Sequence, residues 1–453
     1  MHTRMRRLWV LALACALTGV AVLAIALRLR QLHRTARVAV QSPPGEVAPL
    51  APLAHSEPAP KAEAPRESRE VEGAPVAGLD LLHIRPGPDG LIAPAGGGTA
   101  TLTLDPELQL AATRILATHH LPEAAVVLMD VATGRVLVYA NHVEDGPLRD
   151  LCAEASAPSA SVFKIVTAAA LVEDAHLGVD TKECYSGGEQ RIVASDLTPD
   201  PARDRWCSTL AGAMGRSINA IFARLAKEHL EPQELEVMAR RFGYGEALPF
   251  DVPVQASALH VPSESLDFAR TAAGFWNTTM SPLEAIEISA IVARGGETVR
   301  PSIVASVASA SGAVVWSAPD AGPAHRAIAK ETAEQLATMM SHTVSEGTSY
   351  RAFHDGHGSA FLPGIAVAGK TGTLTHAETR QFYTWFTGFA PMKADPEVPR
   401  VAIAVLVVNG PTWQVKANVV ARDVLRAYFA ANDVEGVTRP GAASTKTIAR
   451  HKR

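Results

Sequence analysis

The sequence predicts an α/β domain whose sheet is closed by both ends of the chain, on three observations. A β-branched hairpin pattern lies early, at Ala124 to Asn141 ("AAVVLMDVATGRVLVYAN"). Residues 159 to about 350 are mostly helical in pattern. Three strand-like runs then follow, Ile365–Thr373, Tyr383–Ala390 and Val401–Val408, ahead of an amphipathic helix from Val415 to about Ala431. Strands separated by so long an insertion can share one sheet only if the two ends of the domain meet, and that brings distant segments together.

In chain order, residues 1–38 carry seven arginines and no acid, so the net charge of −4 hides an acidic body. With no basic patch on that body, nucleic acid is not expected as a partner. Leu8 to Leu27 is uncharged and almost wholly apolar, just long enough to cross a bilayer. A retained membrane anchor over 1–30 is the favoured expectation. A cleavable signal (Ala24-Ile25-Ala26 fits the small-x-small pattern) and lipidation at Cys15 are the alternatives. Arginines flank both sides of the span, so charge alone does not orient it.

Residues 31–98 are rich in Ala, Pro and Glu without helical or strand period, and are expected to be a disordered, Pro-stiffened linker. Order is expected from Thr99, with Asp105-Pro106-Glu107 starting a helix as N-cap and N1 proline and Leu108, Ala112, Ile115 and Leu116 marking its buried face. The folded domain spans 99–432, and 433–453 reads as a basic, disordered tail. Of four cysteines, Cys15 lies in the apolar span and Cys152 has no evident partner. Cys184 and Cys207 either pair in an oxidising compartment or remain thiols. His354, His357 and His376 lack ligand spacing, so neither a metal nor another cofactor is expected. Trp385, Phe386 and Trp413 read as core or cleft wall.

Three short patterns carry the chemistry. In "SAPSASVFKIVTAAAL", Ser161 precedes a helical run and Lys164 follows one turn later on the same face. A hydroxyl becomes a nucleophile when a neighbouring base takes its proton, and a neutral amine can do so. A free lysine titrates near ~10.4, so neutrality at pH 7 needs a shift of roughly 3 units, about 4–5 kcal/mol. Burial beside Phe163, Ile165 and Val166 and the positive helix end both act in that direction. Downstream stand Ser217-Ile218-Asn219 and, at a strand end, Lys370-Thr371-Gly372-Thr373. Each alone is weak.

Together, S-x-x-K, S-x-N and K-T-G in this order resemble the signature of penicillin-binding proteins and serine β-lactamases. The resemblance runs from about Thr99 to Asn432. "TLTLDPELQLAATRIL", "AAGFWNTTMSPLEAIEISAIVARGGETVRPSIV", "SEGTSYRAF" and "VAGKTGT…YTWFTGFAP" are similar to blocks of high-molecular-weight transpeptidases. One departure precedes the nucleophile, where the family commonly has Pro-Gly and this chain has Ser159-Ala160. The resemblance implies an antiparallel five-stranded sheet flanked by helices, plus an all-helical subdomain.

For the site, it implies acylation of Ser161 by a D-Ala-D-Ala stem peptide with Lys164 as base. Ser217 passes the proton to the leaving amine, Lys370 supplies an electropositive field, and Asn219 bonds substrate and Lys164. Thr371 and Thr373 bind the terminal carboxylate, Gly372 leaves room for the substrate strand, and the N–H groups of Ser161 and Thr373 receive the oxyanion. It further implies trapping by β-lactams and a role in cell-wall synthesis complexes. No Asn has a Glu four residues before it, the pattern of class A lactamases, and class D relatives carry an apolar residue where Asn219 stands. A monofunctional, class B-like transpeptidase outside the cytoplasm is therefore expected. A D,D-carboxypeptidase or lactamase, or a non-catalytic scaffold, are the other readings.

Overall fold

The computed structural model describes residues 76–318, 324–376 and 379–440. The expected anchor, and the linker as far as residue 75, lie outside the described residues. Among the described residues no helix is long and apolar enough to cross a membrane.

The chain begins with three short strands, β1 (Arg85–Gly87), β2 (Gly90–Ala95) and β3 (Gly98–Leu102), followed by helix α1 (Pro106–Thr118). Asp105 caps α1 by accepting from the N–H groups of Glu107 and Leu108, and Pro106 gives up no needed donor at the first turn. The hairpin β4 (Glu123–Asp130) and β5 (Val136–Val143) comes next, then the two-residue β6 (Ala157–Pro158). A 3-10 turn at Ala160–Phe163 leads into α2 (Lys164–Glu173). The helical part continues with β7 (Lys182–Tyr185), β8 (Trp206–Thr209), α3 (Leu210–Arg216), α4 (Asn219–His229), α5 (Pro232–Arg241) and α6 (Ser265–Ala272). After β9 (Thr279–Met280) come α7 (Pro282–Ala293), β10 (Val304–Ala308), β11 (Val314–Ser317), α8 (Lys330–Ser345) and α9 (Tyr350–Phe353). The chain closes with β12 (Ala368–Thr375), β13 (Phe382–Ala390), β14 (Val401–Asn409) and α10 (Ala417–Ala431).

The central sheet has the order β12-β13-β14-β4-β5 and is antiparallel throughout. Its closure is the pairing of β14 with β4, where Val405 faces Val126. β14 is buried along its whole length. Side chains alternate across a strand, so Ala402, Ala404, Leu406 and Val408 enter one core while Val401, Ile403, Val405 and Val407 enter the other. That is why this strand reads as uniformly apolar: α7 covers one face and α10 the other.

Two boundaries move relative to the sequence expectation. Order starts before Thr99, because β1 and β2 lie inside the span read as linker and join β3 in a second antiparallel sheet, β1-β2-β3-β10-β11. The pairing of β3 with β10 is a non-local contact that local composition does not announce. At the other end, Val434 and Val437 pack against the second core and Arg439 pairs with Glu107 at 3.2 Å, so residues 433–440 belong to the folded body. The stretch 159–350 also holds more strand than its pattern suggests, in β7, β8, β10 and β11.

Cys184 and Cys207 face each other across the β7–β8 pair and form a disulfide, while Cys152 is free and buried. The disulfide secures a loop that packs on α4. Behind it, fully buried Arg224 bonds Glu183, Asp204 and the carbonyls of Cys184 and Asp196. Replacing both cysteines with serine (Cys184→Ser, Cys207→Ser) is expected to lower stability by about 3 kcal/mol, the loop-closure entropy returned to the unfolded chain. Urea unfolding of the double variant measures this, and an unchanged midpoint would remove the disulfide from the domain's stability.

Candidate active site

The cleft opens between the β12 edge of the central sheet and the helical part, with a volume of about 300 Å³. Ser161 lies at its floor, Ser217 and Asn219 on the helical wall, and Thr371, Gly372 and Thr373 on the strand wall. The three sequence patterns thus share one cavity although more than 200 residues separate the first from the last.

Ser161 and Lys164 belong to the 3-10 turn and its junction with α2, not to a continuous α-helix. With three residues per turn, positions i and i+3 eclipse, which sets the lysine amine directly against the hydroxyl. Lys164 Nζ is 2.8 Å from Ser161 Oγ and 2.7 Å from Asn219 Oδ1, and it also meets the Ala273 carbonyl. The amide orientation of Asn219 is fixed, since its Nδ2 donates to the Glu189 carbonyl at 2.6 Å. Two of the three partners of Lys164 are therefore acceptors only. A neutral amine satisfies them with its two N–H groups and turns its lone pair to the Ser161 hydroxyl. Burial holds the Lys164 amine well below its ordinary pKa, and the nearby Lys370 lowers it further.

Lys370 is fully buried on β12, where burial alone brings its pKa down to about 7. Its Nζ donates to Ser217 Oγ at 2.9 Å and to the Thr371 carbonyl at 2.8 Å. Ser217 occupies the break between α3 and α4 with φ of 58°, a left-handed C-cap, and Ile218 is extended before Asn219 starts α4. This break, rather than a helical face, is what aims both Ser217 and Asn219 at the cleft.

The Ser159-Ala160 approach has a backbone reason. Ala160 has φ of 49°, in the left-handed region that disfavours a side chain by roughly 1–2 kcal/mol. A glycine at this position, common in the family, relieves that strain. Buried contacts hold the conformation here: Tyr244 Oη donates to Ser159 Oγ at 3.0 Å, and Trp385 Nε1 donates to the Pro158 carbonyl at 2.9 Å. Gly274, with φ of 81°, lets the loop carrying Ala273 approach, since a Cβ there would lie 2.3 Å from the Ala160 carbonyl oxygen. A Cβ on Gly372 would crowd Trp385 at 3.1 Å and Ala160 at 3.2 Å, narrowing the cleft floor.

Trp385 is buried and lines the cleft, and Phe386 is buried in the core. Trp413 departs from the core-or-wall expectation: it is exposed, stacked on Phe382, with the Lys416 amine 5.0 Å above its ring. Glu189, Thr384, Lys416 and Asn418 also line the cleft, and none of them stands in a motif. Thr348, in the block "SEGTSYRAF", bonds Thr371 Oγ1 through its own Oγ1 at 2.6 Å. Among the described residues no group of three or more His, Cys, Asp or Glu side chains is placed to hold a metal ion.

Comparison with known proteins agrees with the arrangement. The family model described as the penicillin binding protein transpeptidase domain matches residues 124–426. The chain is 26 % identical over 351 residues to the peptidoglycan D,D-transpeptidase PbpA of Mycobacterium tuberculosis, covering 69 % of this chain and 68 % of that protein. The crystal structure of the D,D-transpeptidase domain of a peptidoglycan glycosyltransferase from Eggerthella lenta aligns with a TM-score of 0.59 at 26 % identity, over 73 % of this chain and 83 % of that one. Penicillin-binding protein A of M. tuberculosis, solved as its penicillin G acyl-enzyme, shares the fold at a TM-score of 0.57 and 23 % identity, over 76 % and 82 % of the two chains. With the sheet, the cleft and a family match over most of its length, the chain belongs to the penicillin-binding protein transpeptidase family.

Proposed function

We propose that this chain is a peptidoglycan D,D-transpeptidase that cross-links stem peptides through an acyl-enzyme on Ser161 and is inhibited covalently by β-lactams. The observation that carries this reading is the hydrogen bonding of Lys164: buried, with acceptor-only partners for two N–H groups and Ser161 as the third neighbour, it is arranged to receive a proton.

In the proposed mechanism a stem peptide ending in D-Ala-D-Ala lies along the open edge of β12 as an added strand. Its terminal carboxylate meets the hydroxyls of Thr371 and Thr373. Ser161 Oγ attacks the penultimate carbonyl as Lys164 takes the hydroxyl proton. The backbone N–H groups of Ser161 and Thr373 receive the oxyanion. Ser217, hydrogen-bonded to Lys370, relays a proton to the departing D-Ala amine. Asn219 holds Lys164 in place and offers its amide to the substrate backbone. An amine from a neighbouring stem peptide then takes the acyl group. A β-lactam presents a similar carbonyl and carboxylate, and its acyl product stays on Ser161.

The same reading places residues 1–30 as a single membrane span and the following Pro-rich stretch as a tether, with the catalytic domain outside the cytoplasm, as part of a cell-wall synthesis complex. The Cys184–Cys207 disulfide supports an oxidising compartment.

A fluorescent penicillin is expected to label the wild-type protein and not Ser161→Ala; labelling of both, or of neither, rejects the nucleophile assignment. A pH profile checks the lysine pair. Lys370 repels a proton on Lys164, so removing its charge in Lys370→Met makes Lys164 easier to protonate and raises its pKa. The acidic limb of residual penicillin acylation should then move to higher pH. A limb that stays in place or moves to lower pH would show that Lys164 is not the titrating base.

A further inference from the structure

The cleft handles two substrates of opposite charge. The donor brings a carboxylate to the Thr371–Thr373 wall. The acceptor of a cross-link is an amine, which arrives in water mostly as an ammonium ion. Once the donor has lost its terminal D-Ala, the carboxylate has gone with it, and the ammonium must enter a cleft backed by buried Lys370 and lined, at the start of α10, by exposed Lys416. Lys370, with a pKa of about 7, carries partial positive charge at neutral pH. A cation entering this field is disfavoured unless an acid lies near its path.

Among the described residues one acid lines the cleft, Glu189. It stands beside Asn219 on the helical wall. Its backbone is fixed rather than loosely draped. The Glu189 carbonyl accepts from Asn219 Nδ2 at 2.6 Å. Gly188, with φ of 73°, brings the loop so close to α4 that a Cβ there would lie 2.8 Å from that of Ala220. Three residues on, the Ile192 carbonyl accepts from Arg270 Nε and Nη2 at 3.1 and 3.0 Å. The Cys184–Cys207 disulfide and buried Arg224 close the base of the same loop. The side chain of Glu189 itself remains exposed. The loop is thus a rigid mount for one carboxylate, joined through Asn219 to the lysine that activates Ser161.

We propose that Glu189 is the acceptor-recognition residue: it binds the ammonium of the incoming stem peptide on the helical wall, opposite the wall that takes the donor's carboxylate. This rests on the transpeptidase reading above. The ammonium sheds one proton to water and the neutral nitrogen attacks the acyl carbonyl. The bond to Ser161 Oγ then breaks, and a second nitrogen proton passes through Lys164 to Ser161 Oγ. Glu189 takes no part in breaking or making the ester, so its effect falls on acceptor binding and on acceptors that carry charge.

The test compares wild type, Glu189→Gln and Glu189→Asp in the full-length protein, with a D-Ala-D-Ala pentapeptide as donor and two acceptors. One acceptor is a lysine-containing stem tetrapeptide, cationic at pH 7.5; the other is hydroxylamine, largely neutral there. Glu189→Gln should raise KM for the tetrapeptide about tenfold, and weaken its dependence on salt, with kcat little changed. Its KM for hydroxylamine should stay at the wild-type value, and Glu189→Asp should recover most of the tetrapeptide affinity. Penicillin acylation, which uses no acceptor, is measured alongside. Equal losses for both acceptors, an unchanged tetrapeptide KM, or loss of penicillin acylation in Glu189→Gln would each overturn the assignment. Absence of acylation in the wild type would instead overturn the transpeptidase reading itself.

Discussion

The burial of one amine against two carbonyl oxygens organises this molecule. Lys164 has no exposed surface, and its partners come from three separate elements: the Asn219 side chain at the start of α4, the Ala273 carbonyl after α6, and Ser161 one turn before it. An ammonium in that position bears a desolvation cost that no acid among the described residues offsets, so the neutral form is the one the fold supports. Each of those elements must then be fixed. The left-handed residues Ala160 and Ser217, the close approach at Gly274 and the disulfide-secured loop beside Asn219 all serve that end.

The central sheet does for Lys370 what the helices do for Lys164. β12 reaches the cleft because β14 joins the two ends of the domain, pairing with β4 on one side and β13 on the other. In the register of that sheet Lys370 lies opposite Thr387, whose hydroxyl bonds the Ala285 carbonyl of α7, while Gly372 lies opposite Trp385. Strand, helix and aromatic side chain together hold the K-T-G segment rigid from behind while its front stays open.

What the sequence made legible follows from which forces act locally. The hairpin, the three late strands, the capped α1 and the closing helix carry strong period and cap signals, and their observed bounds lie within a few residues of those expected. The ordered spacing of Ser161, Lys164, Ser217, Asn219 and Lys370 was readable as chemistry, and the structure draws these residues into one cleft. Less legible was whatever depends on distant pairing. β1 and β2 look like linker because Gly and Pro interrupt them, and they are strands only because β3 and β10 complete their sheet. Glu284 and Glu287 sit on α7, which is buried along its whole length, and burial raises both pKa values, that of Glu287 to about 8. Glu189 and Lys416 gave no signal at all, since each is an ordinary charged residue until the tertiary fold sets it on a cleft wall.

β12 is an edge strand, and an unpaired edge is a hazard for a folded protein because any neighbouring chain can zip onto it. Two of the usual remedies are already in place, the inward charge of buried Lys370 and the packing of α8 against the strand, while a proline on β12 would remove a backbone donor from the edge on which the proposed substrate pairs. The helical wall supplies another kind of protection. It stands across a cavity of about 300 Å³, which limits the room beside the strand. A confined cleft leaves less room for edge-to-edge association, and variants that widen it should be judged for solubility as much as for turnover.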